Sequence, residues 1–366
     1  MDLGQRATAH GARRLVGILG IVVGAAVATS WLGPGVAPAG AHTVGGVAAT
    51  DYRTRITARE HPFPGVTVRP VDSGNQLELT NTSARDVIVR GYDGEAYLRV
   101  GPRGVYENRN SPATYLNRTR LSPAAPPDRA DPAATPAWHR ISGGTSVRWH
   151  DHRAHWMGTV APPAVRHDPG RAQLVQRFAL PVVRGGTVVR VRGDVWWVPG
   201  PSPWPWIAVA AGLASLVVVL ARTRRAAWAL GAALATGALA AVVHAGGSWT
   251  TGAAAFAGRL GAAVPTLGAV GLAAVALVVL RRKGLRAAAP VLVFAGLFLT
   301  IAIGLADLSA LSHSQVPTVL AVPLDRAAIT LALGLGAGVT IGAAVHVADR
   351  GPAAARPPLG SSAGQE

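Results

Sequence analysis

Trp196-Trp197-Val198-Pro199-Gly200-Pro201-Ser202-Pro203-Trp204-Pro205-Trp206 splits the chain into two chemically different parts. Prolines fix φ and remove backbone donors, so this stretch interrupts whatever regular structure precedes it, while its tryptophans suit the headgroup layer of a bilayer. It reads as a rigid stalk at a membrane surface. Trp196 or Trp197 is assigned instead to a core, because the alternating strand that ends at Val198 runs through them.

Beyond the stalk the sequence is apolar. Five segments, Trp206–Ala221, Ala226–Ala245, Leu260–Leu280, Val291–Leu308 and Ala327–Val347, each approach the length of about 20 residues that crosses a hydrocarbon core. The expectation is therefore a transmembrane domain of about five helices over 201–347, followed by a disordered cytoplasmic tail at 348–366. Arg222, Arg224 and Arg225 follow the first segment, Arg281, Arg282, Lys283 and Arg286 the third, and Arg350 and Arg356 the last. Dense positive charge marks the cytoplasmic side, so this alternation puts everything before the stalk outside the membrane. Alanine and glycine dominate these segments, which lets helix backbones approach closely.

Before the stalk, short β-rich stretches recur at Val66–Val71, Gln76–Asn81, Asp86–Tyr92, Ala96–Val100, Thr145–Trp149, Gln173–Leu180 and Thr187–Val198, separated by Gly, Pro, Asn and Asp. About seven strands over 42–200 predict an exported all-β domain, an Ig-like β-sandwich. The Pro-rich excursion from Glu107 to Gly143 is too long for a hairpin loop and is expected to pack over one edge, tethered by Tyr115 and Trp138. Gly91 and Gly94 around Asp93 suit a tight turn, with Tyr92 and Tyr97 as core aromatics; Glu95 or Glu107 facing the histidines is the functional alternative.

Residues 1–41 carry Arg6, Arg13 and Arg14, an apolar run from Leu15 to about Leu32, and then Ala39-Gly40-Ala41. That order matches a secretory signal cut after Ala41, or, uncut, an N-terminal anchor helix. Cysteine is absent, which removes disulfides, thiolate zinc sites and blue-copper chemistry. The net charge of +17 rests on arginines spread along the chain, with Lys283 the only lysine, and no nucleic-acid module organises them, so nucleic acid is not expected as a partner. Walker, nucleophile-elbow and HExxH patterns are missing too, and no enzymatic activity is expected.

The candidate site is Trp149-His150-Asp151-His152-Arg153-Ala154-His155-Trp156-Met157, with three histidines in six residues and the only methionine besides the initiator. Imidazole is a common metal ligand and thioether a soft one. On a strand His150 and His152 share a face, while His155 joins them only through a bulge or turn near Arg153-Ala154. The bland alternative is a polar sandwich edge stacked with Trp149 and Trp156. Cleavage after Ala41 would give His42 a free amine beside its imidazole, a chelating pair that favours copper over zinc. His150, His152, His155, Met157 and His42 are thus the expected metal residues, with copper the suspected cofactor. In the membrane part, His244, Asp307, His313, Asp325 and Arg326 lie near the outer side and could mark an ion path.

The layout resembles the copper-resistance proteins of the CopC and CopD type, in which an exported β-sandwich with an N-terminal histidine binds copper beside a multi-helix membrane domain. The chain is also similar to a group of bacterial multi-pass membrane proteins that share its Gly91–Val100 and Asn108–Tyr115 segments and the His-Asp-His-Arg-x-His-Trp-Met run, a similarity that carries no activity with it. The first resemblance implies copper binding or delivery, with copper-handling proteins and the lipid bilayer as partners. The competing expectation is a structural or sensory cell-envelope protein, its β-domain binding another protein or a polymer through Trp149, Trp156 and the arginines. A three-histidine site that activates water comes third.

Overall fold

The computed structural model describes residues 48–118, 125–251 and 256–348. The signal or anchor at 1–41, His42 and the tail from 349 lie outside the described residues.

Ten strands form two antiparallel sheets. They are β1 (Tyr52–Arg59), β2 (Val66–Val71), β3 (Gln76–Asn81), β4 (Val87–Arg90), β5 (Ala96–Gly101), β6 (Gly104–Asn108), β7 (Trp138–Ser142), β8 (Ser146–Trp149), β9 (Gln173–Arg184) and β10 (Thr187–Trp197). The larger sheet runs β1-β10-β9-β4-β5-β6-β7 and the smaller β2-β3-β8. Alternation drives the pairing: Val66 and Val68 on β2 are buried while Thr67 and Arg69 are exposed, so one face seals against the larger sheet. Leu77, Leu79, Val147 and Trp149 from the smaller sheet meet Val87, Val89, Leu98, Val100, Leu180, Val182 and Val191 from the larger in one core. The β9–β10 hairpin turns on Gly185-Gly186, both at positive φ, which suits the twist of a two-residue connection.

Ten strands replace the expected seven or so. β1, β6 and β7 are the additions, and β7 closes one end of the larger sheet from within the Pro-rich excursion. That excursion also contains a short helix, α1 (Ala113–Leu116). Both expected tethers hold it: Tyr115 accepts from Arg129 Nε at 3.0 Å and donates to Arg109 O, and Arg99 lies over the Trp138 ring at 4.8 Å. The placement of Trp196 or Trp197 in the core is corrected. Both are only half-buried, because β10 buries Val191, Gly193 and Val195 and the bulge after Val195 turns the last two rings toward the rim. Trp197 packs edge-on against Tyr52 with centroids 5.3 Å apart.

A second short helix, α2 (Pro163–His167), precedes β9. The membrane part then comprises α3 (Trp204–Leu220), α4 (Ala226–Ser248), α5 (Phe256–Leu299) and α6 (Val322–Ala348). Among the described residues, three helical stretches rather than five are long and apolar enough to cross a membrane, Ala226–Ser248, Arg259–Leu305 and Val322–Val347, while Trp204–Leu220 is shorter. At 17 residues α3 measures about 25 Å, short of a hydrocarbon core of about 30 Å.

The third expected segment and all but the last three residues of the fourth fall within one 47-residue stretch. A straight helix of α5's 44 residues would reach about 66 Å, twice the hydrocarbon thickness. Instead the backbone leaves the helical region at Gly284, with φ 77 and ψ 174, and the two arms fold back, so that Gly268 faces the Phe298 ring. Small residues set the packing. Gly334, Gly338 and Gly342 on α6 lie against Ala210, Ala214 and Ala221 of α3 and the turn after it, where a Cβ at Gly334 would stand 2.6 Å from Ala210 O.

The two parts are fastened at more than one place, and Arg148 of β8 donates to Thr250 O just past α4 at 3.2 Å. The stalk joins β10 to α3, and Thr50 forms a bridge with Gln315, N to O at 2.9 and 2.8 Å in the two directions. Asp51 Oδ1 accepts from Ser314 N at 2.7 Å beside it.

Candidate functional site

The histidine run does not lie on a strand. β8 ends at Trp149, and Asp151 caps a single 3₁₀ turn at His152–Ala154 by accepting from Arg153 N. The H-x-H parity expected of His150 and His152 is therefore lost. Asp151 is the centre of the segment, 1% exposed, with every short contact directed at it from within the run. Arg153 Nε donates to Oδ1 at 2.8 Å, Arg153 Nη2 to Oδ2 at 2.9 Å and Trp149 Nε1 to Oδ2 at 3.0 Å. Burial alone would push the Asp151 carboxyl up, but the Arg153 guanidinium and its bidentate bonds hold it below the usual carboxylate range; burial likewise lowers Arg153, and Asp151 more than restores it.

The turn is then pinned to the strands around it. Gln176 on β9 donates from Nε2 to both Arg153 O and His155 O at 2.8 Å, and Thr54 Oγ1 on β1 donates to Ala154 O. Arg153 reaches back to Arg90 O and Gly91 O, and its guanidinium lies over the Tyr92 ring at 4.9 Å. Tyr92 accepts from His152 N and donates to Asn117 Oδ1. Trp149-to-His155 thus plugs the end of the sandwich.

The predicted ligands are distributed as follows. His150 Nδ1 lies 2.9 Å from Asn75 O and its Nε2 3.2 Å from Gln76 Nε2, so both ring nitrogens are engaged by polar groups. His155 is buried at 4% exposure, its ring 6.3 Å from that of His150. His152 faces the other way, its ring 6.1 Å from Tyr92. Met157 is half-buried after the turn, and His42 is outside the described residues. So His150 and His155 come together and His152 does not join them. Among the described residues, no group of three or more His, Cys, Asp or Glu side chains is arranged to hold a metal ion.

Segments Gly91–Val100 and Asn108–Tyr115 serve the same construction. Tyr97 is buried, and Glu95 accepts from Ser111 Oγ at 2.5 Å and Asp93 N at 3.0 Å rather than facing the histidines. Asn108, 2% exposed, donates to Ala96 O and accepts from Asn110 N and Ala137 N, closing β6 onto the excursion.

A different surface carries the free charge. The register sets Arg53 opposite Trp196, Arg55 opposite Asp194 and Asp194 opposite Arg177, with Arg192 and Arg190 following along β10. These five arginines are exposed on the outer face of β1-β10-β9. Opposing them are Asp194 and Glu60, the latter 2.7 Å from Arg192 and 3.5 Å from Arg190. Arg55 also lies over the Trp196 ring at 5.1 Å. A shallow groove of about 470 Å³ crosses this face, lined by Thr57, Arg177, Phe178, Arg192, Gly193 and Asp194. On the core side of the same strands Gly193 leaves room for the buried Phe178 ring, since a Cβ there would stand 2.2 Å from it. This face is not marked in the sequence, because Arg53, Arg55 and Arg59 at alternate positions around Thr57 look like a solvated edge until the neighbouring strands are known. No protein-family model, no curated protein and no solved structure matches the chain.

Proposed function

We propose that the chain is a membrane-tethered, extracytoplasmic binding protein whose β-domain engages an anionic cell-envelope polymer, and that its role is structural or sensory rather than catalytic. The observation that carries this reading is the arginine face of β1-β10-β9, five guanidiniums against two carboxylates beside an open groove. Guanidinium binds carboxylate and phosphate with paired N–H donors, and a row of them at strand spacing suits a repeating anion. The full-length protein in nanodiscs should bind polyglutamate or polyphosphate with an affinity that falls steeply with salt. The Arg55→Glu/Arg192→Glu variant should lose at least tenfold. Equal binding by variant and parent would refute this reading, and exclusive capture of a folded acidic protein would replace the polymer with a protein partner.

A second reading keeps copper. The closeness of His150 and His155 favours it, because release of the Gln76 bond would free His150 Nε2 beside a second imidazole. Met157 and a His42 exposed by signal cleavage are the further ligands of this CopC-like Ig-type sandwich, with His152 outside the site, and delivery to a copper-handling partner its role. Copper(II) titration of the full chain tests it: His155→Ala should abolish a site that His152→Ala leaves in place. Unchanged stoichiometry in both variants would end this reading while leaving the first intact.

A further inference from the structure

At the end of the bundle nearest the β-domain, three ionisable groups from three separate segments meet. His244, one turn before the end of α4, places Nδ1 2.9 Å from Asp325 Oδ1 and Nε2 3.3 Å from Asp307 Oδ2. Asp325 lies in the first turn of α6, and Asp307 follows the π-helical stretch Thr300–Leu305 that ends the α5 arm. A π turn inside a helix is a frequent companion of functional sites. Asp325 is 1% exposed, yet its second oxygen, Oδ2, has no hydrogen-bond partner.

All three side chains line a cavity of about 60 Å³, room for a few water molecules. Thr266 of α5, Ser309 and Pro317 complete much of its wall. Proton counting gives the same charge however the hydrogens are placed. An imidazolium between two carboxylates carries −1, and so does a neutral imidazole between one carboxylic acid and one carboxylate. A buried net charge among helices long and apolar enough to cross a membrane is costly unless something neutralises it.

The neighbouring charges do not do so. Arg326, adjacent to Asp325, turns away to donate to Ala310 O and His313 O. His313 is held by Ser309 O, and Asp51 of the β-domain by Ser314 N. Arg259, two turns before Thr266 on α5, is the remaining basic residue on that helix toward this end, and Arg148 of β8 donates to Thr250 O just past α4.

We propose that His244, Asp307 and Asp325 form a proton-binding site fed by water from the β-domain side. A hydronium ion in the cavity gives its proton to Asp325 Oδ2, a carboxylic O–H bond forms, water is released, and the cluster becomes neutral. The cavity wall at Ser309–Pro317 belongs to the same loop that bridges Gln315 to Thr50, so the proton's occupancy is read where the two parts of the molecule are joined.

The test is proton uptake by the full-length protein in nanodiscs, followed with an indicator dye as pH is lowered from about 8 to about 5, bracketing the unperturbed histidine value. Asp325→Asn fixes the neutral charge and should remove one proton of uptake per chain relative to the parent. Asp307→Asn reaches the same charge through the other carboxylate and should lose the same proton, which protects the test if one variant does not fold. Uptake identical in the parent and both variants would overturn the proposal. Uptake that sodium suppresses at constant pH would also overturn it, by giving the cavity to a metal cation.

Discussion

Asp151 and Asp325 are both 1% exposed, and each touches a basic partner, but their surroundings use them differently. Asp151 has both oxygens occupied, by Arg153 twice and by the Trp149 indole, within five residues of sequence. Asp325 gives one oxygen to a histidine 81 residues away and keeps the other without a partner at a cavity wall. A buried charge whose bonding capacity is filled acts as a fastener; one with capacity left over can take up a ligand. The histidine-rich run is of the first kind at its centre, despite a composition that advertises chemistry.

Breaking the fastener should produce the largest effect. Asp151→Ala strands a buried guanidinium and an indole N–H, which is expected to cost about 3–5 kcal/mol of stability, measurable by denaturant titration followed through tryptophan fluorescence. Acid should do part of this to the parent protein. The folded Asp151 carboxyl lies below its ordinary value, so its contribution is complete above the unfolded value of about 3.9 and is lost as pH falls through the lower folded value. Asp151→Asn should flatten that acid limb, and an unchanged limb would show that other carboxylates carry it.

Gln176→Ala tests the bonds rather than the charge. It removes both donors that hold the Arg153 and His155 carbonyls, with an expected loss of about 1–3 kcal/mol. The smallest effect belongs to the other side of the comparison. Asp325→Asn should shift the stability of the helical part by much less than Asp151→Ala shifts that of the β-domain, because the amide oxygen still accepts from His244 Nδ1 while the buried net charge is removed. A loss as large as that of Asp151→Ala would make Asp325 a fastener too and erase the distinction.

Much of this was legible from residues alone. Gln76–Asn81 and Val66–Val71 are strands with the expected bounds, because their alternation faces a single core. β1 was not, since Arg53, Arg55, Thr57 and Arg59 alternate with Thr54 and Ile56 and leave no apolar stripe to see. β7 is almost wholly exposed and so carries little hydrophobic signal. In the membrane part the reversal at Gly284 falls in the basic stretch between the third and fourth expected segments, but segment lengths did not show that helix continues up to the break on both sides, so that the pair forms one stretch. The histidines misled by parity: strand spacing pairs His150 with His152, but the cap at Asp151 ends the strand first and pairs His150 with His155. His244, Asp307 and Asp325 stood out singly as ionisable groups in apolar sequence, while their convergence depends on helix packing that no local pattern records.

The Thr50–Gln315 bridge gives the β-domain a second attachment, on the opposite end of its chain from the proline stalk. A body held at one point swivels under load; one held at several, with Arg148 on Thr250 O as a further point here, transmits torque. Tension on the outer face of β1 and β10 would therefore reach the loop before α6 as leverage, with Gln315 as the fulcrum.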